Sequence, residues 1–381
     1  MKRWILRAAV AGAILAVGGF VVAASGVIST KASSGHWAIT QWFLRFSMKR
    51  SIATHSLGIE VPANLANQNL IVQGARHYEI GCRSCHGAPG LAQPRIARGM
   101  LPPPPDLVPR IRESTPGKLF YVVKHGMKFT GMPAWPAQQR DDEIWAMVAF
   151  LLRMPGLDEA GYRRLAQSER APAVSTHTQG PAASSEVATS LLQSCARCHG
   201  DDGRNTGGGA FPKLAGQRAE YLSNALAAYA RGQRHSGTMG PIAAGLTDGE
   251  IRQLARHYSS VDDSAPTPRA APAGAEAPSD AAIARGRVIA TDGLPGQRVP
   301  ACVECHGPGA RRGKPAYPSL AGQSADYLQL QLQLFKREQR GGSAYEHLMR
   351  PIASRLTDEQ MSDAAAYFET LETAPKNSGA R

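Results

Sequence analysis

The sequence predicts an all-α chain in which three tandem helical domains follow a single N-terminal transmembrane helix. Three observations carry that reading. The segment Cys-x-x-Cys-His occurs three times, a long stretch repeats internally, and no segment alternates between apolar and polar residues as a half-buried strand does. At 381 residues the chain is too long for one ordinary core and suits two to four domains. Hydrophobic residues at 43% and charged residues at 19% exclude a disordered chain, while 39 glycines and 27 prolines point to loops and linkers.

The first element is the membrane helix. Lys2, Arg3 and Arg7 flank an uncharged run from Ala8 to Thr30, long enough to cross a hydrocarbon core of about 30 Å. A signal-peptide apolar region usually spans about 7 to 15 residues, so a retained anchor is preferred; Ala24-Ser25-Gly26 would serve as the cleavage site in the alternative. The leading basic residues favour an inside N-terminus, and Lys31, Arg45, Lys49 and Arg50 count against that simple bias. Of the net charge of +13, residues 1–60 supply +6 and residues 61–170 supply +5. Such a surplus beside the most hydrophobic segment is a membrane-proximal feature, and no nucleic-acid partner is expected. In the following arm Trp37, Ile39, Trp42, Phe43 and Phe46 interleave with Arg45, Lys49 and Arg50. This pattern suits a helix lying among lipid headgroups, or equally aromatics packed on the first domain.

The cysteines carry the chemistry. All six fall in Cys82-Arg83-Ser84-Cys85-His86, Cys195-Ala196-Arg197-Cys198-His199 and Cys302-Val303-Glu304-Cys305-His306. Two cysteines on one helical turn can each form a thioether to a porphyrin vinyl group, and the adjacent histidine then lies under the iron. Cys-x-x-Cys-His is therefore the attachment signature of c-type haem, and three covalently bound haem c groups are expected. A closed zinc site would want a fourth ligand, and a thiol redox pair would not need the histidine.

The sixth ligand separates electron transfer from catalysis, because a methionine opposite the histidine closes the iron. Residues 211–222 match 317–328 at an offset of 106, and Met239-Gly-Pro-Ile-Ala matches Met349-Arg-Pro-Ile-Ala at an offset of 110. Met239 and Met349, 40 and 43 residues after His199 and His306, are thus equivalent axial candidates. Each precedes a helix opened by Thr-Asp. In the first domain Met132 precedes Phe150 by 18 residues, close to the 19 that separate Met239 from Tyr258 and Met349 from Phe368; Met127 would precede it by 23. Met132 is the preferred ligand, with Met127 and His125 as rivals, and His235 and His347 are weaker rivals in the other domains. A metal-bound histidine donates its other ring N–H to a fixed acceptor. The carbonyls of Pro105, Pro212 and Pro318 are the candidates. Gly74 and Gly286 would permit close helix crossing or be merely tolerated.

On these residues the chain resembles the class I cytochromes c. Residues 186–372, with Leu-Ala-Gly-Gln and Met-x-Pro-Ile-Ala twice, resemble the bacterial dihaem cytochrome known as c-four. The first domain, with Gly131-Met132-Pro133-Ala134-Trp135, resembles a monohaem class I domain. The resemblance implies small all-helical domains, a leading helix crossing the closing helix, haem with one edge exposed, and export to the periplasm. The long linker after Val261 and the extension at Gln297–Pro300 depart from the c-four pattern and put its tight packing in doubt. The expected division is cytoplasmic residues 1–7, an anchor at 8–30, an arm at 31–64, cytochrome c domains at 65–155, 186–261 and 282–373, and linkers at 156–185 and 262–281. A short helix over Asp158–Arg170 precedes the first linker proper.

The implied function is single-electron relay by a non-enzymatic carrier on the bacterial inner membrane, with its haem domains in the periplasm. Electrons would come from a quinol-oxidising complex or soluble carrier and run towards a terminal oxidase. In a second reading, the chain is the cytochrome subunit of a periplasmic dehydrogenase and passes electrons to quinone. A haem peroxidase would require one five-coordinate iron.

Overall fold

A computed structural model describes residues 2–167, 189–205, 208–261, 278–307, 314–343 and 345–371. Among these the regular structure is helical, and the only extended pairings are isolated bridges at Ala88–Leu91 and Leu294–Val299. The N-terminal helix runs Lys2–Ala24 and buries none of its side chains, and at 1.5 Å per residue it is about 35 Å long. It starts within the basic residues and stops short of Thr30, because Ser25 and Gly26 turn the chain, Gly26 at φ +70°. By length and composition it can cross a membrane.

The arm contains the helix Ala38–His55. Trp37, Trp42, Phe43 and Phe46 are all more than half exposed, and Trp42 stacks on Phe46 at 5.8 Å. The aromatics therefore do not pack on the first domain. Only the far end of the helix reaches it, where His55 stacks on Tyr121 at 5.6 Å.

The buried side chains beyond the arm gather in three sequence-local sets, one around Tyr78, Phe150 and Ile144, one around Leu254 and Tyr258, and one around Phe335, Met361 and Phe368. These are the first, second and third units. In the first, the leading helix Gln68–Gly81 opens on Asn67, whose side chain accepts from the Asn69 amide at 2.7 Å. The closing helix Asp141–Arg153 carries three acidic residues in its first turn, where the positive end of the helix dipole favours them. The two cross at Gly74, where a Cβ would lie 2.1 Å from the Ala146 carbonyl oxygen. The third unit repeats the device: Asp280–Thr291 crosses Asp358–Thr370 at Gly286, where a Cβ would lie 1.9 Å from the Asp363 oxygen. Neither position admits a side chain, so crossing is what these glycines permit.

The closing helices of the second unit (Asp248–Ser260) and the third both start with a capping box, Thr247 with Glu250 and Thr357 with Gln360. Helix Glu159–Ala166 lies inside the stretch expected as the first linker and belongs to the first unit instead. Its Tyr162 is fully buried against Tyr78 and Phe150, and its hydroxyl donates to Glu79. One buried tyrosine is enough to hold this short helix on the core. Linker residues 168–188 and 262–277 lie outside the described residues.

The second and third units meet through a reciprocal pair. Gln217 donates to the Ser319 carbonyl at 2.8 Å and accepts from the Ser319 amide at 3.0 Å. Gln323 does the same to Lys213, at 3.0 and 2.8 Å. Both pairs are related by the offset of 106, so the repeat in sequence is a pseudo-twofold contact in space. The extension at Gln297–Pro300 does not obstruct it: Val299 turns inward and packs on Phe335 and Leu356.

Candidate functional site

Each Cys-x-x-Cys-His segment lies on one helical turn. In the first and third units the histidine amide donates to the first cysteine's carbonyl at 3.0 Å, and in the second unit the motif ends the helix Thr189–His199. That turn puts both thiols and the ring on neighbouring positions of one small surface. Gly87 and Gly200 follow at φ +68° and +83°, a conformation that favours glycine. Tyrosine hydroxyls brace the same corner, Tyr78 donating to the Gly87 carbonyl at 2.7 Å and Tyr258 to the Gly200 carbonyl at 3.4 Å.

The three imidazoles have matching partners. His86 Nδ1 lies 3.2 Å from the Pro105 oxygen, His199 Nδ1 3.0 Å from Pro212 and His306 Nδ1 2.9 Å from Pro318. A carbonyl only accepts, so Nδ1 carries the proton and the Nε2 lone pair is free for a metal. Burial also holds all three rings below the ordinary histidine pKa, which keeps them neutral and able to ligate. Pro–Asp–Leu or Pro–x–Leu loops thus set tautomer and ring orientation three times.

The first cysteine of each motif is not poised as a redox nucleophile. Burial pushes Cys82 up to about 12 and Cys195 and Cys302 up to about 11, whereas a thiol–disulfide centre works through a lowered pKa. None of the six cysteines forms a disulfide, and among the described residues no three His, Cys, Asp or Glu side chains converge as a bare-metal site.

The methionines differ in setting. In the first unit Met127 and Met132 close one small loop: the Met127 amide donates to the Met132 carbonyl at 3.1 Å, and Thr130 Oγ1 bridges the two backbones. Met239 opens the short helix Met239–Ala244, its amide donating to Ser236 Oγ at 3.0 Å. Met349 lies within helix Glu346–Arg355 and packs against the core around Val299 and Phe335. Of the rival ligands, His125 is exposed with its ring against Tyr121 at 4.9 Å, His347 is exposed, and His235 offers its carbonyl to Arg140.

Two sets of residues not expected from the motifs complete the sites. Phe211 and Tyr317, equivalent at the offset of 106, lie 6.2 and 6.0 Å from the rings of His199 and His306. Arg234 and Arg340, also equivalent, are buried beside a small cavity lined by Tyr221, Asn224 and Tyr345. Arg234 donates to Tyr327 and Gln331 and Arg340 to Gln331; among the described residues neither is ion-paired. Buried guanidiniums without a carboxylate are costly, and the propionates of haem would supply one. The internal repeat displays both sets; their chemistry emerges only from their burial.

Residues 69–151 match the family described as cytochrome c oxidase, cbb3-type, subunit III, and residues 185–262 and 283–372 match cytochrome c. The thiosulfate dehydrogenase electron acceptor of Thiomonas intermedia is 34% identical over 185 residues, which cover 49% of this chain and 82% of that protein. Cytochrome c4 of Thiocapsa roseopersicina is 34% identical over 180 residues, 46% of this chain and 86% of the relative. Among solved structures, cytochrome c4 of Acidithiobacillus ferrooxidans aligns at 32% identity over 47% of this chain and 99% of its own, with a TM-score of 0.39.

Proposed function

Because the chain belongs to the cytochrome c family, as a class I c-type cytochrome, we propose that it is a membrane-anchored trihaem electron relay facing the periplasm. The observation that carries this reading is the threefold recurrence of a neutral, at least half-buried imidazole whose Nδ1–H is fixed on a prolyl carbonyl beside two cysteines that form no disulfide. Haem c supplies a one-electron ferric–ferrous couple. Cys82, Cys85, Cys195, Cys198, Cys302 and Cys305 hold the three groups as thioethers. His86, His199 and His306 would ligate the three irons, with Met132, Met239 and Met349 as the second ligand in each unit. Pro105, Pro212 and Pro318 fix the histidine rings, and Arg234 and Arg340 would balance the propionate charge at the junction of the second and third haem domains. With three closed irons the chain carries electrons and performs no substrate chemistry of its own.

The helix Lys2–Ala24 anchors the protein to the bacterial inner membrane, and the exposed aromatics of the arm lie among headgroups. Electrons pass towards a terminal oxidase, in keeping with the family matched by residues 69–151. The relatives named as electron acceptors of thiosulfate dehydrogenase favour a second reading, in which a periplasmic dehydrogenase is the donor and the chain acts as its cytochrome subunit. Rapid-mixing oxidation of the reduced protein by membranes with and without the terminal oxidase tests the first reading. Fast oxidation only with the oxidase is expected, and equal rates overturn it. Co-purification with a dehydrogenase subunit would then favour the second.

A further inference from the structure

The first unit does more than abut the second. Its closing helix and the Arg140 that precedes it grip three consecutive residues just ahead of Met239. Arg140 donates to the His235 carbonyl at 2.6 Å, Ser236 Oγ donates to Glu143 Oε1 at 2.6 Å, and the Gly237 amide donates to Glu143 Oε2 at 2.6 Å. Trp135 Nε1, three residues beyond Met132, donates to the same Oε2 at 2.9 Å. A Cβ on Gly237 would lie 2.1 Å from that indole nitrogen, so the two backbones meet only because position 237 is glycine. Glu143 is 3% exposed. A carboxylate so placed needs its donors, and two of them come from the second unit.

The contact continues to the methionine. Ser236 spends its hydroxyl proton on Glu143, which leaves its oxygen to accept from the amides of Thr238 at 3.3 Å and Met239 at 3.0 Å. Thr238, the residue before the helix, makes no cap with its own side chain. The chain from carboxylate to hydroxyl to amide therefore sets where helix Met239–Ala244 begins.

The third unit achieves the same end alone. The offset between the repeats grows from 106 at Arg234 and Arg340 to 110 at Met239 and Met349, so the third loop is four residues longer. It supplies its own acid, Glu346, which accepts from the Ser343 amide at 3.4 Å and pairs with Arg350 at 3.3 Å. The shorter second loop has no such residue and takes its acid from the first unit. Arg76 of the first unit also donates to the Arg197 carbonyl at 2.8 Å, on the histidine side of the second site.

We propose that Glu143 is a positioning residue for the second haem, holding through Ser236 the loop that presents Met239 to the iron. The proposal rests on Met239 being an axial ligand. Thioether ligation is sensitive to such outer contacts, since hydrogen bonding around a ligand tunes both its hold and the potential. The first unit thereby sets the redox properties of a haem it does not carry.

The test uses the full-length holoprotein and reads the charge-transfer band of methionine-ligated ferric haem together with the three midpoint potentials. Met239→Ala is the reference and should remove about a third of the band, one haem in three. Glu143→Ala should remove part of that same third and displace one potential, leaving the other two in place. Glu143→Gln, which keeps the shape and one acceptor, should recover most of both. Asp141→Ala, on the same helix but paired to Lys124 within the first unit, should behave as wild type. If Glu143→Ala does not accumulate, Ser236→Ala, which removes the hydroxyl that joins Glu143 to the Met239 amide while leaving the carboxylate its Gly237 and Trp135 donors, should show the same change. A wild-type band and unchanged potentials in the variant that folds overturn the proposal. An unaltered band in Met239→Ala instead overturns the ligand assignment beneath it.

Discussion

The junction of the first unit with the second and that of the second with the third are built differently. The second and third units meet through neutral amides in a reciprocal pattern, Gln217 on Ser319 and Gln323 on Lys213, and through the buried Arg234, which donates across to Tyr327 and Gln331 without a carboxylate partner among the described residues. The first and second units meet through buried charge with no symmetry: Arg140 paired to Asp142 at 2.7 Å and to Glu143 at 3.3 Å, with His77 enclosed beside Trp135 and Phe211. Here burial outweighs Arg140 and holds the Glu143 carboxyl above its ordinary range. Burial pulls the other way on Arg140, but its hydrogen bond to Asp142 and the charge of Glu143 raise it. A symmetric junction follows from duplicating one surface. An asymmetric one requires each partner to be placed separately, and any single loss leaves a charge uncompensated.

That contrast predicts a ranking. Arg140→Ala should cost most, about 3–5 kcal/mol in denaturant unfolding, because Glu143 remains buried, and Asp142 half-buried, without their cation. A cost under about 1 kcal/mol would mean that the charge junction is not a cooperative contact. Next comes acid sensitivity. Burial lowers His77 from 6.5 to about 4, so between those pH values the unfolded chain binds a proton that the folded chain does not. Stability therefore rises with pH across this window, is complete above 6.5, and is worth about 3 kcal/mol. Glu143, held above its ordinary range, acts with the opposite sign. The informative quantity is thus the difference between wild type and His77→Phe at pH 7 and pH 4.5, and a pH-independent difference would remove His77 from the argument. The smallest effects belong to the neutral amide pairs of the second–third junction. Gln217→Ala and Gln323→Ala should each cost about 1–3 kcal/mol, the range for backbone groups left without partners, and the two costs should agree. Unequal costs would show that the pseudo-twofold is geometric and not energetic.

The difference between the junctions also explains what was legible. Gln217 and Gln323 stand in the repeated Leu-Ala-Gly-Gln, so the neutral contact was written twice in the chain. The histidine partners at Pro105, Pro212 and Pro318 were likewise readable, because a local loop must supply the acceptor. Glu143 and Ser236 lie 93 residues apart and share no motif; Glu143 reads from sequence as the acidic first turn of a helix, which it also is. The short helix over Glu159–Ala166 was legible as a helix, but not that its Tyr162 fills the space between Tyr78 and Phe150 and so holds it on the first unit.

By itself, then, the sequence determined the kind of chemistry: a c-type cytochrome with the haem-attachment motif written three times, behind one helix long and apolar enough to cross a membrane. These are properties of spacing along one helical turn or one loop, where covalent connection alone brings the groups together. The tertiary structure alone decided how the units are joined, that the arm's aromatics face outward, and that the second unit borrows the acid that braces its methionine loop. Those outcomes depend on burial, which turns an ordinary surface carboxylate into a group that must find donors, and burial is a property of the packed chain.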